Sequence, residues 1–121
     1  MNPYPSKVVA IAALTAVAGC ATGPDIRGET TASPQLRADT VKAVSIYATA
    51  ATQCERVDSI NVQTLHVDPD VRGDSSGEVI SGNIEERWTA SLCGQEAPFL
   101  VTFIPDGRGG SVIRVRPDKK Q

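Results

Sequence analysis

The side chains of this sequence that are best suited to nucleophilic catalysis or to binding a transition metal are few. They are three cysteines and one histidine: Cys20, Cys54, Cys93 and His66. A Ser-His-Asp or Cys-His set would have His66 as its sole base, and no nucleophile elbow accompanies it. The neighbours Glu85 and Glu86 point to opposite faces of a strand, so they cannot act as a facing acid–base pair. We therefore expect no enzyme, no catalytic residue and no cofactor.

The segment before Cys20 has the parts of a secretory signal. Residues 2–7 are polar with one positive charge, residues 8–17 are apolar, and Ala18 and Gly19 are small. An apolar run of about ten residues is too short to span a bilayer as a helix. The sequence Val-Ala-Gly-Cys at 17–20 resembles a bacterial lipobox. This resemblance implies that residues 1–19 are a lipoprotein signal peptide and that Cys20 carries the lipid.

Lipidation at Cys20 would make the membrane one partner of the protein, because two or three acyl chains anchor firmly. Ala21, and not Asp, follows the cysteine. By resemblance to enterobacterial sorting, this implies the outer membrane, with the domain facing the periplasm. The remaining chain of about 100 residues is long enough for one small domain. Its slightly acidic balance argues against a nucleic-acid partner.

The other two cysteines would then lie in an oxidising compartment. There, Cys54 and Cys93 are expected to form a disulfide. The alternative is a metal site that these two residues form with His66, although their spacing matches no finger or ribbon pattern and a fourth ligand is not evident. We expect the disulfide and no metal.

Three regions divide the chain. They are the signal peptide 1–19, a lipidated flexible tether 20–33 without apolar periodicity, and a small domain 34–121. Ser33-Pro34 has the residue types of a helix N-cap and first position, and the helix-favouring composition continues to about Gln53.

Beyond the helix, apolar residues alternate with polar ones, which indicates strands. The expected strands are 60–68, 78–92, 98–104 and 111–116, joined by loops at 68–77 and 106–110. Gly82 and Glu86 interrupt the apolar face of the longest strand, and a bend is expected near Gly82. One helix followed by four strands with short connections predicts an α+β fold, with the N-terminal helix packed on a four-stranded antiparallel meander. The expected core is Leu36, Val44, Tyr47, Ala51, Ile80, Ile84, Trp88, Phe99, Val101, Phe103, Ile113 and Val115.

The last forty residues also carry a recognisable pattern. It consists of Trp88-Thr89, Cys93-Gly94, the aromatic strand 99–103 and the Pro-Asp-Gly-x-Gly-Gly turn at 105–110. In these features the chain resembles a group of small, mostly uncharacterised secreted proteins and lipoproteins of proteobacteria. The shared residues are those of strand, disulfide and turn, so the resemblance implies no catalytic role.

The sheet face that the helix leaves uncovered is the expected partner surface. Its residues are Glu85, Arg87, Thr89, Thr102, Arg114 and Arg116. The sequence thus predicts a lipid-anchored envelope module that binds a protein and catalyses nothing. One alternative is an inhibitor of a lysozyme-like enzyme that acts through loop 68–77 or loop 106–110. Another is a ligand-binding or metal-binding module that uses His66 and the aspartates of loop 68–77.

Overall fold

The computed structural model describes residues 23–73, 75 and 79–119. In chain order, the described elements are β1 (Asp25–Gly28), α1 (Pro34–Thr52), β2 (Ser59–Val67), β3 (Arg72–Gly73), β4 (Val79–Ser81), β5 (Ile84–Leu92), β6 (Gln95–Pro105) and β7 (Ser111–Pro117). The main sheet has the order β1-β2-β5-β6-β7, and β3 and β4 form a separate two-stranded ribbon. The fold is α+β with a helix packed on a sheet, as expected.

The sheet differs from the expected four-stranded meander because it has a fifth strand and is mixed. β1 pairs with β2 in parallel, whereas β2, β5, β6 and β7 pair antiparallel. Parallel neighbours need a crossover connection, and α1 provides it between β1 and β2. The sequence does not reveal β1, because it is only four residues long and three of them are exposed.

β1 ends at Gly28, whose backbone φ is 86°. A Cβ atom at this position would overlap the carbonyl oxygen of Val62 on β2. Glycine is therefore the residue that allows both the left-handed turn and the close approach of the two strands. Residues 25–28 belong to the sheet, so the flexible tether expected over 20–33 does not extend over them.

Helix α1 begins and ends with recognisable caps. Ser33 accepts a hydrogen bond from the Leu36 N–H at its side chain, Pro34 opens the helix, and Gln53 closes it in the left-handed conformation. The buried residues Thr40, Val44 and Ala48 follow one another every four positions and face the sheet. Thr40 tolerates burial because its hydroxyl donates to the Leu36 carbonyl.

Most of the expected core is confirmed. Val44, Ile84, Trp88, Phe99, Val101 and Phe103 are buried, and Leu36, Ile113 and Val115 are partly buried against them. The prediction was wrong for Tyr47, which is 52% exposed, and for Ala51, which is also exposed, because the buried stripe of α1 passes through Thr40 instead. The Tyr47 ring lies at the rim of the core, 6.4 Å from the Phe99 ring. The side chain of Ile80 lies outside the described residues.

The predicted disulfide is confirmed: Cys54, just after α1, is bonded to Cys93 in the β5–β6 turn, with 6.1 Å between the two Cα atoms. Its sequence separation of 39 residues corresponds to about 4 kcal/mol of stabilisation on the chain-entropy estimate. We call this end of the strands the disulfide end. The opposite end of the strands, where β6 turns into β7 at 106–110, is the hairpin end.

Candidate functional site

The six residues of the expected partner surface lie on one face of the sheet. Glu85, Thr102 and Arg114 stand side by side across β5, β6 and β7, and Arg87 and Arg116 flank Leu100 in the next row. Thr89 completes the set opposite Pro98. The alternate residues of β5, among them Trp88, are buried on the opposite face, where α1 packs. We call this surface, which no helix of the described residues covers, the outer face.

Charges on the outer face are mostly paired with each other. Arg87 donates from Nε to Asp118 Oδ2 at 2.7 Å and from Nη1 to Gln63 Oε1 at 3.2 Å. The exposed fractions are only 26% for Arg87 and 8% for Asp118, so this pair is held in place. Arg116 lies 3.7 Å from Glu85. Arg114 is exposed, and no carboxylate of the described residues forms a salt bridge with it.

The least expected side chain is Glu86, a carboxylate that is 0% exposed on the helix-facing side of the sheet. Strand alternation places it between the buried side chains of Ile84 and Trp88. Burying a charge is costly unless its hydrogen-bonding capacity is satisfied. The interruption of the apolar face at position 86 is the sequence signal for this site. It does not identify the partners, which lie far away along the chain.

Five hydrogen bonds converge on the Glu86 carboxylate. Oε1 accepts from the Thr30 hydroxyl at 2.7 Å and from the Trp88 indole N–H at 2.9 Å. Oε2 accepts from the Thr31 N–H at 2.8 Å, from the Thr31 hydroxyl at 2.9 Å and from the Thr64 hydroxyl at 3.2 Å. We call Glu86 with Thr30, Thr31, Thr64 and Trp88 the carboxylate lock.

The lock ties the N-terminal segment to the sheet. The Thr30 hydroxyl donates its hydrogen to Glu86 and also accepts from the Ala32 N–H at 3.0 Å. A carboxylate has about four lone-pair positions, and donors from the protein occupy them. Glu86 therefore has no capacity left to act as a base or a metal ligand. Its role is to hold residues 30 and 31 in place.

His66 lies on β2 at the hairpin-end half of the sheet, opposite Glu85. Its Nε2 atom is 3.0 Å from Asp68 Oδ1, and Asp68 Oδ2 accepts from the Asn83 N–H at 2.9 Å. The Asn83 N–H, followed by His66, lowers the pKa of Asp68 below its ordinary value. His66 thus helps to hold the start of the 68–77 loop, of which residues 74 and 76–77 lie outside the described residues.

The alternative metal site of Cys54, His66 and Cys93 is wrong, because a disulfide consumes both thiols. In the ranges that the structure describes, no group of three or more His, Cys, Asp or Glu side chains is arranged to hold a metal ion.

The loop at 106–110 is held by its own aspartate. Asp106 Oδ1 accepts from the N–H groups of Arg108 at 2.7 Å and Gly110 at 3.1 Å. These two donors lower the pKa of Asp106. The described part of loop 68–77 lies with loop 106–110 at the hairpin end.

The chain enters the domain at the disulfide end. Gly23 and Pro24 line a groove of about 510 Å³ there, together with Ile46 on α1 and the 55–58 segment. Cys20 and the signal segment 1–19 lie outside the described residues. The part of the chain that is described contains no helix long and apolar enough to cross a bilayer.

Comparisons with known proteins add no relative. A scan against protein-family models, a search of curated proteins and a search of solved structures each found no match. The site must therefore be interpreted from its own geometry.

Replacing Glu86 by Gln tests the carboxylate lock. The amide nitrogen would face groups that are themselves donors, so we expect a loss of about 2–3 kcal/mol in the free energy of unfolding. The matched control is Glu85→Gln, the same change one residue earlier on the outer face, which should cost less than about 1 kcal/mol. Urea unfolding measures both, and equal losses would contradict the role given to Glu86.

Proposed function

We propose that this chain is a lipid-anchored lipoprotein of the outer membrane, facing the periplasm, whose domain binds a protein partner without catalysis. The anchoring part of the proposal rests on the Val-Ala-Gly-Cys sequence at 17–20 and on the apolar run before it. The binding part rests on the outer face. These two supports are independent of each other.

The position of β1 supports close anchoring. β1 begins at Asp25, only five residues after Cys20. A fully extended chain of that length spans at most about 18 Å. The disulfide end would therefore lie beside the bilayer. The carboxylate lock keeps residues 25–31 from acting as additional spacer.

The length of the sheet determines which surfaces of the anchored domain would be accessible from the periplasm. β6 has eleven residues, which corresponds to a length of roughly 35 Å. With the disulfide end at the membrane, the outer face and the hairpin end project away from it. A partner in the periplasm could reach both.

The observation that carries the binding proposal is the uncovered outer face itself. It combines side chains held by ion pairs, such as Arg87 with Asp118, with the half-buried apolar residues Leu100 and Ile104. Pre-positioned charges lower the ordering cost of association. A surface that mixes polar and apolar groups in this way is typical of non-obligate protein interfaces.

Intact mass and membrane fractionation test the anchor. We expect the full chain expressed in a bacterium to lose residues 1–19, to gain the mass of acyl groups at Cys20 and to be recovered with the outer membrane. The Cys20→Ser variant should be unmodified and leave the membrane fraction, since it has no thiol to alkylate. An unmodified wild-type protein in the soluble fraction would contradict the anchoring proposal.

Charge reversal at Arg114 tests the partner surface. We expect Arg114→Glu to lower the recovery of a cross-linked envelope partner by at least about tenfold, because a complementary charge becomes a repulsive one. The control is Arg37→Glu, the same change at an exposed position on α1. If both variants lose the partner equally, or if the wild-type protein captures none, binding through the outer face is wrong.

A further inference from the structure

The last strand of the sheet, β7, is an edge strand with a regular register. β7 pairs with β6 over seven consecutive residues, from Ser111 to Pro117, without a register shift. On its other side, no strand of the described residues adjoins it. β1 at the opposite edge has only four residues. β7 is therefore the longer site at which another extended chain could add to the sheet.

The hydrogen bonds between β6 and β7 identify which backbone N–H and C=O groups of β7 point away from the sheet. The Asp118 N–H donates to the Pro98 carbonyl at 3.0 Å, and the Asp106 N–H donates to the Gly110 carbonyl at 3.0 Å. Both pairs belong to the β6–β7 register, so residues with even numbers on β7 bond to β6. The N–H and C=O groups of Ile113 and Val115 consequently point away from β6. Pro117, which has no N–H, ends this stretch.

The side chains of β7 present different chemistry on the two faces. Ile113 and Val115 face the core and are partly buried. Val112, Arg114 and Arg116 lie on the outer face and are exposed. A strand added beside β7 would therefore meet apolar side chains on one face and mainly cationic side chains on the other. The complementary sequence alternates apolar and acidic residues.

The same charges disfavour a second copy of this chain as the occupant. Two β7 strands paired through their outward edges would place Arg114 and Arg116 of both copies on one shared face. Like charges in neighbouring strands are destabilising. An acidic strand from another protein meets no such repulsion.

We propose that β7 is a strand-addition site, at which an extended acidic segment of a partner protein pairs with the backbone of Ile113 and Val115. This inference rests on the proposed partner-binding function and names its mode. The backbone of β7 supplies hydrogen bonds, and the arginines select acidic segments over neutral or basic ones.

A peptide of about eight residues that alternates valine and glutamate is the probe, and its valine–lysine counterpart is the control. We expect the acidic peptide to bind the mature protein and to slow amide exchange at Ile113 and Val115. Exchange at Arg114 and Arg116, whose N–H groups already bond to β6, should change little. The lysine peptide should bind at least about tenfold more weakly.

Two variants at position 115 distinguish backbone pairing of the peptide with β7 from simple charge attraction between the peptide and the surface. Val115→Pro removes one outward N–H and should weaken peptide binding at least about tenfold, whereas Val115→Thr keeps the N–H and the branched shape and should bind as the wild type does. An unchanged emission spectrum of the buried Trp88 establishes that each variant is folded.

Three results would overturn strand addition. They are absence of binding at about 1 mM peptide, binding without protection of Ile113 and Val115, and equal binding by the proline and threonine variants. If one of them occurs while Arg114→Glu still abolishes partner capture, the outer face remains the binding surface and only the mode is wrong. If capture by the wild-type protein also fails, the binding function itself is wrong.

Discussion

The structure depends on one buried carboxylate. Glu86 lies in the interior of the sheet, where an ionised group is stable only if donors surround it. Those donors come from the segment before α1, from β2 and from β5, so the carboxylate cannot be satisfied until all three have come together. Thr30 and Thr31 precede the N-cap Ser33 by only two or three residues. The lock therefore also sets where α1 begins and how β1 reaches the sheet edge.

This constraint connects the fold to the proposed function. Because residues 30 and 31 are fixed, the preceding strand β1 is held parallel to β2. The chain therefore enters the domain at the disulfide end. An anchor at Cys20 would then hold the domain close to the bilayer in a restricted orientation, and not at the end of a long flexible linker. α1 and the Cys54–Cys93 bond close the core side of the sheet. No described element covers the outer face or the free edge of β7, and these are the surfaces that the proposed partner would use.

Local patterns in the sequence predict a large part of this architecture. Alternation identifies β2, β6 and β7, Ser33-Pro34 marks the start of α1, and the pairing of Cys54 with Cys93 follows from the expected compartment. The single strand expected over 78–92 is divided into β4 and β5 at Gly82, where a bend was expected. Alternation also places the outer-face residues together. β1 could not be predicted from alternation. It forms a strand because its backbone pairs with β2 and because the carboxylate of Glu86, far away in sequence, holds the residues that follow it. The position of Glu86 could be predicted, but its donors Thr31 and Thr64 lie 55 and 22 residues away in sequence. Tyr47 was misplaced because small side chains occupy several faces of α1, and the polar Thr40 lies on the buried one.

Native-state amide hydrogen exchange at Thr31 tests the central claim most directly. Its N–H donates to Glu86 Oε2 at 2.8 Å, and we predict that it exchanges only when the whole domain unfolds. The free energy of opening at Thr31 should then equal the free energy of unfolding measured with urea. Exchange through a small local opening, as at a fraying terminus, would contradict the account. The segment before α1 would then be a detachable tether, and the orientation of the domain at the membrane would no longer follow.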